Sequence, residues 1–203
     1  MAPHPQVQRL SELGVDRLVD LGPHDPGPPP SEEAVLAIHH RAVPAAELAP
    51  LLSLDGKTGF VVVDLTDIAE FLPIPGVDVP DRPLYWIDGL DRGDDLQNWS
   101  AEEAAPELAA RGRSPLTVHE GISWLLQRPE LLEPNACFMT IGSRKPKRPG
   151  DASRGYDSRT PAIWISGGTG RDGRERKGAP KVGWCWWRNR HTWLGFASTT
   201  GRH

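Results

Sequence analysis

Cysteine is scarce in this chain. Only Cys137 and Cys185 occur among 203 residues, so a disulfide framework is not indicated. Both sit in strand-like apolar runs, where a small buried free thiol is the simpler reading. No apolar run approaches the ~20 residues needed to cross a bilayer. The opening MAPHPQVQRLSELG has neither the basic start nor the apolar stretch of a secretory signal. These absences point to a cytoplasmic protein without a membrane partner. Tyr, Phe and Met number two, four and two against eight Trp, so indole supplies most of the aromatic surface. No internal repeat is present.

Gly and Pro are abundant, at 21 each, so much of the chain must be turn and loop. Hydrophobic content of 38% suffices for one core. The net charge of −4 conceals an asymmetry. From Ile141 onward there are 14 Lys/Arg against 4 Asp/Glu, a net of +10, whereas the first 140 residues hold 9 basic and 23 acidic residues. Either the acidic part packs against the basic part within one fold, or the basic part offers a surface to an anionic ligand.

Apolar spacing at Val7, Leu10, Leu13, Val15, Leu18 and Leu21 suits an amphipathic helix over 5–21. GPHDPGPPP (22–30) cannot continue it, because each Pro fixes φ and removes a donor. Residues 1–30 therefore read as a peripheral helix and linker, and 31–203 as a single domain. SEEAVLAIHH, with Ser31 as a cap and two acids in its first turn, reads as a helix start. GFVVVDL (59–65) and LYWIDGL (84–90) read as strands. Ser100 with Glu103, and Thr117 with Glu120, form two capping boxes that start helices ending before Pro129. CFMTIGS (137–143), PAIWIS (161–166), KVGWCWW (181–187) and HTWLGFAS (191–198) read as further strands, with RNR (188–190) as a tight hairpin between the last two. The basic, Gly-rich segments joining these strands are expected to be mobile loops.

The chemical motifs mostly fail on inspection. Gly168-x-Gly170-x-x-Gly173 matches a dinucleotide fingerprint, but no helix pattern follows it and no acid follows Glu175. Gly173 and Gly178 have the P-loop spacing, yet Ala179 stands where Lys must reach phosphate. His119-Glu120 resembles a zincin helix, but Ser123 replaces its second ligand. Ser166 precedes glycines, though Trp164 replaces the first Gly of G-x-S-x-G. Cys185 and His191 alone do not close a zinc site. No metal and no cofactor is expected. DRGDD leaves one acid–base alternative, in which Asp91 or Asp94 pairs with His191.

The remaining feature is rich in indole. Trp164, Trp184, Trp186, Trp187 and Trp193 are interleaved with Lys181, Arg188, Arg190 and His191. On a strand, Trp184 and Trp186 share one face while Cys185 and Trp187 share the other. Indoles exposed beside guanidiniums would suit a flat ring or an anion. The candidate ligand-binding set is Arg144, Arg159, Trp164, Lys181, Trp184, Trp186, Arg188, His191 and Trp193. The bland alternative makes the same rings core and cross-strand packing.

Residues 112–144 (GRSPLTVHEGISWLLQRPELLEPNACFMTIGSR), 159–166 (RTPAIWIS), 179–187 (APKVGWCWW) and 189–198 (NRHTWLGFAS) carry a resemblance. With 60–74 (FVVVDLTDIAEFLPI) and 90–95 (LDRGDD), they resemble an uncharacterised family of small bacterial proteins catalogued as a domain of unknown function. The resemblance implies a common fold but no activity, so no catalytic residue is carried over. Asp91, Arg144, Arg159 and His191 are the polar candidates within its segments.

The expected fold is mixed α/β, a largely antiparallel sheet with helices packed on one face. Three functional readings stay open. The leading one is a non-catalytic binding or regulatory module whose basic, Trp-rich C-terminal surface meets a nucleotide, nucleic acid or acidic protein. The others are a small-molecule enzyme using the Asp/His site between 91–95 and 191, and a structural or assembly protein.

Overall fold

A computed structural model describes residues 3–19 and 26–203. Its main elements, in chain order, are α1 (Pro5–Glu12), β1 (Val35–Ile38), α2 (Ala45–Leu48), β2 (Phe60–Val61), β3 (Leu84–Asp88), α3 (Ala101–Ala110), α4 (Val118–Gln127), β4 (Cys137–Met139), β5 (Arg159–Ile165), β6 (Pro180–Trp186), β7 (Leu194–Phe196) and β8 (Gly201–Arg202). Two sheets dominate. One is antiparallel, in the order β1-β3-β8; the other has five strands, in the order β7-β4-β5-β6-β2. In the larger sheet β4, β5 and β6 run antiparallel, and the outer pairs β7/β4 and β6/β2 are parallel. This is the mixed α+β class that the strand and helix patterns predict.

α4 lies between the two sheets, and every residue from Val118 to Leu126 is buried. Its start is the Thr117/Glu120 capping box, and α3 starts with the Ser100/Glu103 box, both formed as the spacing predicts. A side chain at Gly121 would meet Thr140, Phe138 and Ile163 of the larger sheet, so glycine allows α4 its close approach. On the other side α4 faces β1, whose Ile38 N–H donates to Ser123 Oγ at 3.0 Å.

Several expectations are corrected. The segment after Ser31 is strand, not helix: Val35–Ile38 pairs with Leu84–Ile87. A run of four apolar residues buried on both faces carries no period, so pairing with β3 decides its conformation. Ser31 caps nothing; its hydroxyl donates to Asp88 Oδ1 at 2.6 Å. The helix over 5–21 stops at Glu12, where Gly14 turns left-handed, and a short 3-10 turn follows at Val15–Arg17. α1 joins the common core rather than standing apart, since Leu10 and Val15 are fully buried in it. The linker of 22–30 falls partly outside the described residues. The strand of 59–65 shortens to Phe60–Val61. RNR does not form a hairpin: β6 already pairs with β5, and the chain crosses to the far side of β4 to form β7.

The basic connections are also more ordered than their composition suggests. Residues 146–156 fold as a hairpin of Pro146–Arg148 against Asp151–Tyr156. The 167–178 segment contains two 3-10 turns and is tied down by buried Asp172, which accepts from Ser166 Oγ at 3.0 Å and Lys181 Nζ at 2.6 Å. Only a three-residue 3-10 turn, Arg174–Arg176, follows the glycine fingerprint before the next strand, so its dinucleotide chemistry has no α-helix N-terminus to use.

A buried polar network anchors the chain's end. Glu120, fully buried, accepts from Tyr85 Oη at 3.0 Å, Arg202 Nε at 2.6 Å, Arg202 Nη2 at 3.0 Å and the Thr117 N–H at 2.7 Å. A charge this deep is tolerable only with such complete pairing. Above it His39 and His40 stack with centroids 4.2 Å apart, and His119 donates from Nε2 to the Val43 carbonyl at 3.1 Å. Burial pulls both His40 and His119 down to about 4, holding them neutral.

Candidate recognition surface

The β5–β6 ladder sets the geometry. Its register pairs Arg159 with Trp186, Pro161 with Trp184 and Trp164 with Lys181. Directly paired residues share a face, so Trp184 and Trp186 lie with Arg159 on one side, and Trp164 lies with Lys181 on the other. Trp184 and Trp186 meet edge to face, centroids 4.6 Å apart. Trp186 is 45% exposed, whereas Trp184 is half-buried, its Nε1 donating to Asp64 Oδ1 at 3.3 Å. On the opposite face Trp164 contacts Trp193 at 6.0 Å, His191 contacts Trp193 at 5.2 Å, and Lys181 Nζ sits 4.9 Å from the Trp164 ring.

The nine residues singled out by sequence thus do not form one surface; the sheet separates them. Arg144 belongs to neither face. It is buried, with its guanidinium 3.8 Å from the Trp187 ring centroid and 5.1 Å from that of Tyr156, and Nη2 donates to the Asp157 carbonyl at 2.7 Å. Burial, only partly offset by nearby Tyr156 and Asp157, pulls Arg144 down to about 10. It packs the 146–156 hairpin against Trp187 and is closed to a ligand.

The other cations of the candidate set, Arg159, Lys181 and Arg188, have carboxylate partners. Arg159 forks onto Asp67 and Asp157, and these bonds hold Asp67 down at about 2. Lys145 also pairs with Asp67 and with Glu70. Arg188 pairs with Glu102, Arg190 with Glu103, and Arg171 with Asp64 at 3.7 Å. Most of these acids come from the first 140 residues, so part of the charge asymmetry is neutralised inside one molecule, while Lys147, Arg148, Arg174, Arg176 and Lys177 form no ion pair among the described residues. The pairs differ in depth. Arg188 and Arg171 keep 78% and 76% of their side-chain surface exposed, whereas Arg159 keeps 18%.

The Asp/His alternative is not assembled. Asp91 Oδ1 accepts the Gly93 N–H at 2.8 Å, and Asp94 is clamped by Arg92. His191 Nε2 is buried with no hydrogen-bond partner, and among the described residues neither carboxylate bonds to its ring. A small, largely apolar depression lies elsewhere, bounded by Leu52, Leu125, Leu132 and Pro180.

Sequence reasoning missed the backbone. Trp187 N–H donates to the Ser158 carbonyl, and Ser166 N–H to the Ala179 carbonyl, so odd-numbered residues of β6 bond to β5 and even-numbered ones face outward. The Val182 carbonyl accepts the Val62 N–H at 2.9 Å, but the Val62 carbonyl then turns away to the Leu65 N–H at 3.0 Å. Beyond that point no strand among the described residues pairs with the outer side of β6. The W-x-W alternation was the only sequence signal, and it reports side chains alone.

Residues 8–203 match a family described only as a family of unknown function (DUF5701), and the chain belongs to that family. No curated protein and no solved structure matches it. Among the described residues, no helix is long and apolar enough to cross a membrane.

Proposed function

We propose that this protein is a non-catalytic binding module of the cytoplasm that holds an anionic partner against the Trp184/Trp186 face. The observation that carries the reading is the exposed Trp186 ring, edge to face with Trp184, with Arg171 beyond Asp64 near one end and Arg188 just past the other. Exposed ion pairs such as Arg188–Glu102 contribute only about 0–1 kcal/mol, so an incoming carboxylate or phosphate can exchange for the internal acid at little cost. The indoles supply flat apolar area of the kind that adds a polarisable contact beside an arginine. Arg159, locked to Asp67 and Asp157 beside Trp186, and Arg144, buried against Trp187, hold the neighbouring chain in place and do not take part in the exchange.

Indole fluorescence titration with an oligothymidylate and with an oligoglutamate, at about 50 mM and about 300 mM NaCl, tests this. At least one probe should bind, and two phosphate contacts would weaken about tenfold across that salt range. Trp186→Ala should abolish the signal. Binding by neither probe, or an affinity indifferent to salt, contradicts the reading.

A further inference from the structure

We infer that the outer edge of β6 from Gly183 to Trp186 is a strand-addition site for an extended polypeptide, with β-branched residues in the middle and acidic residues at the ends. The inference rests on the binding reading above and narrows its partner from any anion to a peptide.

The open edge follows from the register. With even-numbered residues facing outward, the Trp184 N–H, the Trp184 carbonyl and the Trp186 N–H point away from β5. Among the described residues none of the three has a backbone partner; the Trp186 carbonyl accepts the Asn189 N–H at 3.0 Å. β2 ends at Val61, and Val63 beyond it is 53% exposed. Unpaired strand edges are templates for another strand, and proteins ordinarily cover them. This molecule covers others. The Leu36 N–H on the outer edge of β1 is taken by Gln6 Oε1 at 2.7 Å, and the Ile38 N–H by Ser123 Oγ. Glycines 93 and 195 let the Arg92–Gly93 turn press onto β7 so closely that a Cβ on either would collide with backbone.

The side chains specify the occupant. An added strand would lie beside the Trp184/Trp186 pair, and β-branched residues pack best across from aromatic ones. Arg171 and Arg188 border the segment with most of their side-chain surface exposed, offset by Asp64 and Glu102, whereas Lys181 lies on the opposite face and is committed to buried Asp172. Acidic residues flanking the apolar centre of the peptide complete the charge match. The open stretch spans four residues, about 13 Å, so the added strand is short and its affinity modest.

The test uses the full chain and the acetylated heptapeptide Glu-Val-Thr-Val-Thr-Val-Glu, with two derivatives N-methylated on alternate amides so that each blocks one edge. Binding is followed by indole fluorescence, and amide hydrogen exchange is read at Trp184 and Trp186. One methylated derivative should lose at least about tenfold in affinity and the other almost nothing, because only one edge of the peptide donates. Exchange at Trp184 and Trp186 should slow about tenfold or more on binding, with Cys185, which faces β5, unaffected. Binding that ignores methylation on either edge overturns strand addition while leaving the anionic reading intact, as does binding of oligoglutamate or oligothymidylate without the heptapeptide. Failure of all three probes removes both. Slow exchange at Trp184 and Trp186 in a concentration-dependent dimer without peptide assigns the edge to a second copy and overturns the peptide.

Discussion

The outer edges of β1 and β6 present opposite solutions to one problem. Each is a strand whose neighbour lies on one side only over part of its length. On β1, side chains from α1 and α4 take the outward N–H groups of Leu36 and Ile38, and Gln6 Nε2 returns a donor to the Ala34 carbonyl at 2.8 Å. On β6, the outward groups of Trp184 and the Trp186 N–H meet no backbone or side-chain partner among the described residues. The difference is that β1 sits inside the common core, where an unmet donor costs about 1–3 kcal/mol, whereas β6 emerges at the surface where water can serve. A surface edge left open beside two indoles is available for pairing in a way that a buried edge never is.

The covered side should break hardest. Arg202→Ala leaves Glu120 charged and buried without its guanidinium, and chemical denaturation should show a loss of about 3–5 kcal/mol. Gln6→Ala and Ser123→Ala each uncover one N–H of β1, and each should cost about 1–3 kcal/mol in the same assay.

The histidine cluster above β1 gives the same region a pH signature. His40 and His119 sit at about 4 in the folded chain against 6.5 when unfolded, so the unfolded state takes up protons first as pH falls. Stability should hold above pH 7 and decline between about pH 6.5 and about pH 4, by up to about 1.4 kcal/mol per pH unit for each fully shifted group. Asp67 contributes in a separate, lower window, since its folded value near 2 lets its stabilisation persist until pH drops below about 4. His119→Gln should flatten the upper decline in a pH series of urea midpoints; an unchanged slope would remove the histidines from the account.

On the β6 side the effects on stability should be small. Trp186→Ala and Arg188→Ala should each change unfolding free energy by no more than about 1 kcal/mol, because one ring is half exposed and the other group lies in a surface ion pair. A loss several times larger for Trp186→Ala would make that ring part of the core and erase the contrast between the two edges.

What sequence could and could not disclose divides along the same line. The capping boxes at Ser100 and Thr117 are local chemistry, complete within four residues, and the helices start where they say. The shared face of Trp184 and Trp186 follows from strand alternation and is equally local. Val35–Ile38 is ambiguous in sequence because an apolar run preceded by acids fits either a helix start or a buried strand, and β3, nearly fifty residues away, makes the choice. The basic segments look mobile in sequence because what orders them is not a composition signal: a backbone hairpin at 146–156, the buried Asp172 in the second segment, and the distant partners Asp64, Asp67 and Glu70. The open edge had no signature at all, since it depends on Val62 turning its carbonyl to Leu65 instead of continuing beside β6.

Amide hydrogen exchange on the free protein tests the central claim most directly. The Leu36 and Ile38 N–H groups should exchange at rates near those of global unfolding, while Trp184 and Trp186 exchange orders of magnitude faster than Cys185 between them. Protection at Trp184 and Trp186 equal to that at Leu36, in a monomer without ligand, would mean the edge is closed.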